Sequence, residues 1–174
     1  MATPLDITRL TEADALADID ALIALLTDTV DHGASVGFLR PMDAAIARAY
    51  WDEVIDGVAR GSKVLLAGRM DDRLVGSVQL EFAGRPNGRH RAEVQKLIVA
   101  TSHRRRGIAK QLMQVIEREA VVAGRWLLVL DTELGSGAAP LYEALGWQRV
   151  GSIPSFATNT DGVPTPNVIY FKKI

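Results

Sequence analysis

Apolar residues recur along this chain with two different periods, and the points where one period replaces the other mark its elements. Asp6 to Leu10 reads as a short first strand. Thr11 with Asp14 three residues later has the form of a capping box, opening a helix that carries Leu16, Ile19, Ile23 and Leu26 and ends near Gly33. Ala34 to Leu39 is a small, apolar loop. Pro41 is expected to begin a second helix with Ile46, Tyr50, Val54 and Val58 on one face, stopped by Gly61. Alternation then takes over. Lys63 to Ala67 and Leu74 to Phe82 flank the turn residues Asp71 and Asp72, and Pro86-Asn87-Gly88 marks a second reversal before Ala92 to Ala100. These three strands predict an antiparallel meander.

The helical period returns at Gly107, with Ile108, Leu112, Ile116 and Ala120 on one stripe until Gly124. Trp126 to Leu130 is an unbroken apolar run, which predicts a strand covered on both faces, and Asp131 and Glu133 stand where it runs out. Gly135 to Gly137 leads into a short helix ending at Gly146. Trp147 to Ile153 and Val168 to Lys172 read as closing strands separated by a loop punctuated by proline and glycine. Helices interleaved with strands, together with antiparallel hairpins, predict an α/β (α+β) sandwich built on a mixed sheet. No repeat or low-complexity segment interrupts the pattern, and 174 residues with 48% hydrophobic content are expected to form one domain over 1–174.

Composition narrows the partners. Lysine and arginine number 20 against 21 acidic residues, so no global field favours nucleic acid or an anionic membrane, and any basic site must be local. The chain has no cysteine. That removes disulfides, thiolate zinc sites and a cysteine-linked acyl-enzyme, and it suits a reducing compartment, so the cytoplasm is the expected location. No stretch approaches membrane-spanning length, and no signal-like run opens the chain, so a soluble protein is expected. His32, His90 and His103 stand singly without a second ligand at metal spacing, and no metal is expected.

One local basic site is present. His103-Arg104-Arg105-Arg106-Gly107-Ile108-Ala109-Lys110 sits where a strand passes into a helix, so unpaired backbone N–H groups and the helix dipole face the turn. Gly107 and Ala109 keep side chains clear while the arginines and Lys110 supply countercharge, as a pyrophosphate with a neighbouring phosphate requires. By itself the run reads equally as a solvated basic helix start. A dinucleotide turn would need Gly-x-Gly-x-x-Gly after the first strand, and a nucleoside triphosphate loop Gly followed by Lys-Ser or Lys-Thr; neither occurs.

Leu97-Ile98-Val99 followed by Arg104-x-x-Gly107-x-Ala109 resembles the acetyl-CoA-binding signature of the GNAT acetyltransferase family. About thirty residues on, Leu141-Tyr142-Glu143-Ala144-Leu145-Gly146-Trp147 resembles the family's second motif, and the element order agrees over nearly the whole chain. The resemblance implies the GNAT fold, a central mixed, mostly antiparallel sheet with helices on both faces. It also implies an acetyl-CoA cosubstrate, with Arg104, Arg105, Arg106, Gly107, Ile108 and Ala109 at its phosphates and an amide between Leu97, Ile98 and Val99 polarising the thioester. Gly33 to Phe38, Arg91 to Leu97, Leu130 to Glu133 and Gly135-Ser136 further resemble the tabtoxin-resistance-type acetyltransferases, which inactivate an amino-acid toxin. The family's usual Asn before the motif Tyr is replaced by Gly135 and Ser136, which leaves Ser136 as the candidate contact to the pantetheine arm.

Acetyl transfer to an amine must remove a proton from an ammonium of pKa about 10, polarise the thioester and return a proton to the thiolate. Tyr142 is the candidate acid toward the CoA sulfur, or else a core tyrosine packed through its ring. Glu93 and Asp131, with Glu133, are the candidate bases. Alternation places Glu93 with Gln95 and Leu97 on one strand face and Asp131 with Glu133 on one face of the other, so the two sets line one cleft if these strands are neighbours. Salt bridges to Lys96 or Arg91 are the plainer account of the carboxylates. Acetyl-CoA and a small amine are thus the expected partners; the oligomeric state stays open, with a homodimer allowed. Competing readings are a catalytically silent CoA-binding sensor, an acetyltransferase acting on a protein N-terminus or polyamine, and a nucleic-acid module using Arg104 to Arg106, which near-neutral charge disfavours.

Overall fold

The computed structural model describes residues 4–174. Its strands are β1 (Asp6–Arg9), β2 (Lys63–Met70), β3 (Arg73–Phe82), β4 (Arg91–Val99), β5 (Leu127–Glu133), β6 (Gln148–Thr158) and β7 (Pro164–Lys173). They form one seven-stranded sheet in the order β1-β2-β3-β4-β5-β7-β6. Every neighbouring pair is antiparallel except β4 and β5, which run parallel. The helices are α1 (Glu12–Ala17), α2 (Ile19–Asp31), α3 (Ala44–Ala59), α4 (Ile108–Val122) and α5 (Ala139–Ala144).

Side-chain alternation along the strands divides the core in two. Leu65 and Ala67 of β2 meet Leu22, Leu26 and Trp51 on the α1–α3 side. Leu66, Val78 and Leu128 meet Leu112, Met113 and Ile116 of α4 on the other, where Tyr142 of α5 also packs. Helices on both faces of a mixed, mostly antiparallel sheet are what the family resemblance implied.

Four boundaries differ from the sequence reading. The capping box forms, with Asp14 N–H donating to Thr11 Oγ1 at 3.2 Å and Thr11 N–H to Asp14 Oδ2 at 3.0 Å. The expected single helix breaks at Asp18, however, where φ −90° and ψ 3° leave helical geometry and the carboxylate pairs with Arg69 of β2. α3 begins after Asp43, not at Pro41, because the Asp43 carboxylate accepts the Ala45 and Ile46 N–H groups at 2.8 and 3.0 Å. Its buried face is Ala47, Trp51, Val54 and Ile55, leaving Ile46 exposed. β5 does not stop at Leu130: its ladder with β7 continues to Glu133 opposite Asn167, so Asp131 and Glu133 are strand residues. Finally, β6 and β7 reach Thr158 and Pro164, reducing the expected long loop to residues 159–163. β6 is an exposed edge strand with two register shifts, and an edge that buries little leaves no alternating signature to read.

Candidate active site

β4 and β5 pair only from Arg91 opposite Leu127 to Glu93 opposite Val129. Beyond that point β4 has no β5 partner from Val94 to Val99, nor β5 a β4 partner from Leu130 to Glu133, so the sheet opens in a wedge whose inner edges lack ladder partners. β4 also bulges. Its register with β3 runs from Gln79 opposite Gln95 to Ser77 opposite Ile98, an extra residue on β4, and Lys96 takes a left-handed φ of 49°. The bulge corrects the expected alternation: Leu97 turns away from the face of Glu93 and Gln95 and packs toward the α4 side, while Ile98 joins the α1–α3 side. Leu97, Ile98 and Val99 nonetheless all lie on the open stretch of β4.

A line of polar groups leads to Glu93. Lys63 pairs with Glu81 at 2.8 Å, and Gln95 Nε2 donates to Glu81 Oε2 at 2.9 Å and to Glu93 Oε1 at 3.0 Å. Burial raises the Glu81 carboxyl, but Lys63 and Gln95 outweigh it and hold the group below its ordinary value. Across the wedge, Asn167 Nδ2 donates to Asp131 Oδ2 at 2.6 Å. Lys96 feels the charge of both carboxylates. Burial lowers its ammonium below the ordinary value, while Asp131 and Glu93 act to raise it, which brings all three groups into one electrostatic cluster. The Lys96 Nζ lies 5.8 Å from the Phe38 ring centroid and 5.7 Å from that of Tyr50. The Tyr50 hydroxyl in turn meets buried Gln79.

Tyr142 lies on α5 and is buried, with Tyr170 and Trp147 at ring distances of 5.8 and 6.1 Å. Burial first, then the charge of Asp131 and the neighbouring Tyr170, push its phenol up to about 12. Its ring is in the core, while the hydroxyl finds no hydrogen-bond partner among the described residues. α5 is braced through Glu117 of α4, which accepts from Trp147 Nε1 at 2.9 Å and Lys172 Nζ at 2.7 Å. Ser136, in the turn before α5, has its Oγ 3.0 Å from Thr132 Oγ1.

At the other end of the wedge, the turn into α4 takes positive φ at Arg105 (60°) and Gly107 (78°). The N–H groups from Arg105 to Lys110 find no backbone acceptor among the described residues; the first helical bond is Gln111 N–H to Gly107 O at 3.1 Å. A Cβ at Gly107 would meet no atom within 4 Å, so the glycine is required by its φ, and the space outside the turn is open to a ligand. Arg105, Arg106 and Lys110 are exposed beside it, while Arg104 Nε donates to Val99 O at 3.3 Å. Ile108 buries its side chain in the core, leaving only its amide to serve the turn. A nest of free amides rimmed by cations fits a pyrophosphate.

The loop between α2 and α3 closes the α1–α3 side. Arg40 N–H donates to Thr160 O at 2.9 Å, and its guanidinium grips Asp161 with two bonds of 2.6 and 2.9 Å. Beneath this strap a cleft of about 380 Å³ is lined by Phe38, Met42, Ile46 and Ala157 among others. His32 lies at the end of α2 with Nδ1 on Asp28 O at 2.7 Å, outside the carboxylate cluster. Asn167 belongs to the cluster and was not singled out by sequence; Lys96 was expected only as a salt-bridge partner of the carboxylates, and among the described residues it makes no ion pair with them. The adjacent polar pair Gln95-Lys96 inside an otherwise alternating strand was the one available sign of the bulge.

Residues 61–149 match the family model of the acetyltransferase (GNAT) domain. An uncharacterised N-acetyltransferase of Azospirillum brasilense is 31% identical over 116 residues, which covers 66% of this chain and 67% of the relative. Among solved structures, a ribosomal-protein-alanine N-acetyltransferase from Brucella melitensis superposes with a TM-score of 0.80 over 97% of this chain and 99% of that one, at 23% identity. A Salmonella typhimurium protein solved with its cofactor acetyl-CoA gives a TM-score of 0.79 over 98% and 94%, at 16% identity. These two are likenesses of fold. Fold, sequence and site together define an acyl-CoA-dependent acetyltransferase. The chain belongs to the GNAT acetyltransferase family.

Proposed function

We propose that the protein moves the acetyl group of acetyl-CoA to the primary amine of a small, amino-acid-like molecule, by direct attack in a ternary complex in the cytoplasm. The observation that carries this reading is the wedge between β4 and β5, with free turn amides at one end and Glu93, Asp131 and Tyr142 around the other. The amides from Arg105 to Lys110 would hold the pyrophosphate, and Ser136 would touch the pantetheine arm. The cosubstrate supplies an activated acetyl thioester.

Each remaining task falls to a group of this chain. Glu93 and Asp131 take the ammonium proton through water, freeing the nitrogen lone pair. An N–H on the open edge between Leu97 and Val99 donates to the oxyanion that forms as nitrogen attacks the carbonyl carbon. Tyr142 donates its proton to the departing sulfur, and its raised pKa keeps it a phenol throughout the neutral range. The adduct collapses with cleavage of the C–S bond, the second nitrogen proton passes through water to restore Tyr142, and the amide and free thiol leave while the proton taken by the carboxylates is released to solvent. With no cysteine in the chain, the acyl group has no thiol carrier.

The amino-acid-like acceptor is supported by the likeness of Gly33 to Phe38 and of the Gly135-Ser136 turn to toxin-resistance enzymes. Initial rates of thiol release, with acetyl-CoA varied against L-amino acids, spermidine and an aminoglycoside, test the whole reading. Intersecting double-reciprocal lines are expected, with amino acids ahead of the aminoglycoside by at least about tenfold in kcat/KM. Parallel lines would rule out the ternary complex, and an aminoglycoside turned over far better would rule out the acceptor class.

A further inference from the structure

Three lysines of the sheet are shielded from water, and two of them are paired. Lys63 meets Glu81 at 2.8 Å and Lys172 meets Glu117 at 2.7 Å. Lys96 is the exception: among the described residues no carboxylate lies within the 4.0 Å that defines an ion pair. Its ammonium instead sits against the Phe38 and Tyr50 rings, themselves edge to face at 5.1 Å. The α2–α3 loop folds over it closely enough that a Cβ on Gly37 would come within 3.3 Å of Nζ. Nor is the residue sealed in, since Lys96 is only half-buried.

A desolvated ammonium held by aromatic faces and lacking an anion in contact is a site for one. The bulge at Lys96 is what delivers it. With regular alternation Lys96 would point to the α4 side; its left-handed φ of 49° places it instead beside Glu93 and Asp131. The cluster therefore offers an acceptor both signs of charge: carboxylates for an amine and an ammonium for an acid group.

We propose that Lys96 binds the carboxylate of the acceptor while Glu93 and Asp131 face its amine, so that the enzyme selects zwitterionic amino acids over amines lacking the acid group. This rests on the acetyl-transfer reading above and adds the residue that sets its specificity. A carboxylate held by a charged partner is worth about tenfold to 100-fold in affinity.

The test compares three acceptor pairs, L-lysine with cadaverine, L-histidine with histamine and L-tyrosine with tyramine, in wild type, Lys96→Asn and Lys96→Arg. Asn tolerates the left-handed backbone, so Lys96→Asn removes the charge without straining the bulge. CoA affinity by calorimetry checks that each variant is folded, and Lys96→Met is the parallel variant if Asn fails that check. Wild type is expected to favour the acid of each pair by about tenfold or more in kcat/KM, through KM. Lys96→Asn should reduce that preference at least about tenfold, and Lys96→Arg should keep most of it. Equal losses for both members of a pair would overturn the proposal, because a lysine serving only the fold or the two carboxylates predicts that pattern. Wild type turning over the amines as well as the acids would overturn it too, while leaving acetyl transfer standing. If no amine releases thiol, the acetyl-transfer reading fails and this inference falls with it.

Discussion

Burial acts on Tyr142 and Lys96 in opposite chemical senses, because it disfavours whichever form is charged. It holds the Tyr142 proton on up to a pKa of about 12. Tyr142→Phe should therefore depress turnover at every pH below about 12, unlike the loss of a base, with CoA binding retained; a variant that recovers near pH 10 would exclude Tyr142 as the acid. The same shift bears on stability. The folded pKa lies above the unfolded value of about 10, so the contribution is full below pH about 10 and is lost as pH rises toward 12. Between those limits the wild type should lose about 2 to 3 kcal/mol more than Tyr142→Phe in urea unfolding, and equal slopes would contradict the buried phenol. If Glu93 and Asp131 share the base role, Glu93→Gln and Asp131→Asn should each lower kcat partially. The double variant should lose about 10²-fold to 10⁴-fold, less than the product of the single losses, and recover as pH approaches the pKa of the amine. Full activity in the double variant would eliminate both. The sequence named these three residues but offered Lys96 only as a salt-bridge partner. Only a backbone angle puts Lys96 beside them, and strand alternation assigns it to the opposite face.

Elements were most legible where one residue decides them. Gly33, Gly61 and Gly124 follow helix ends, and Asp71 and Asp72 make the β2–β3 turn with φ of 47° and 60°. Less legible were boundaries set by distant partners. The Asp18 break depends on Arg69 in β2, and the extension of β5 to Glu133 depends on β7 lying alongside. The turn into α4 was legible as an anion site because its chemistry is local. Gly107→Glu should abolish acetyl-CoA binding, since it sets a carboxylate among the free amides, yet leave the fold intact. Nothing lies within 4 Å of its Cβ, and the left-handed φ costs roughly 1 to 2 kcal/mol. Unchanged affinity in calorimetry, with unchanged circular dichroism, would remove the pyrophosphate from this turn.

At the scale of the whole molecule, two cores clamp a sheet that is open at its middle. The wedge persists because α4 packs across β2, β3 and β4 on one face while α2 and α3 hold the other, and β5 is held along its whole length by its ladder with β7. Leu112 of α4 is fully buried in this clamp, and Leu112→Ala should cost about 2 to 5 kcal/mol, read as a lower urea midpoint with an unchanged m-value. The mixed sheet with helices on both faces was legible from element order and the two motifs. The divergence of β4 from β5 followed only from the family resemblance, because pairing that stops leaves no mark in hydrophobic pattern. We propose that this wedge joins acetyl-CoA to an amine. It is tested most directly by incubating the full chain with acetyl-CoA and an L-amino acid panel, measuring free thiol and acetylated amine together. Amine-dependent thiol release matched one to one by N-acetylated product is the expected result; stoichiometric CoA binding with no amine-dependent release would contradict it.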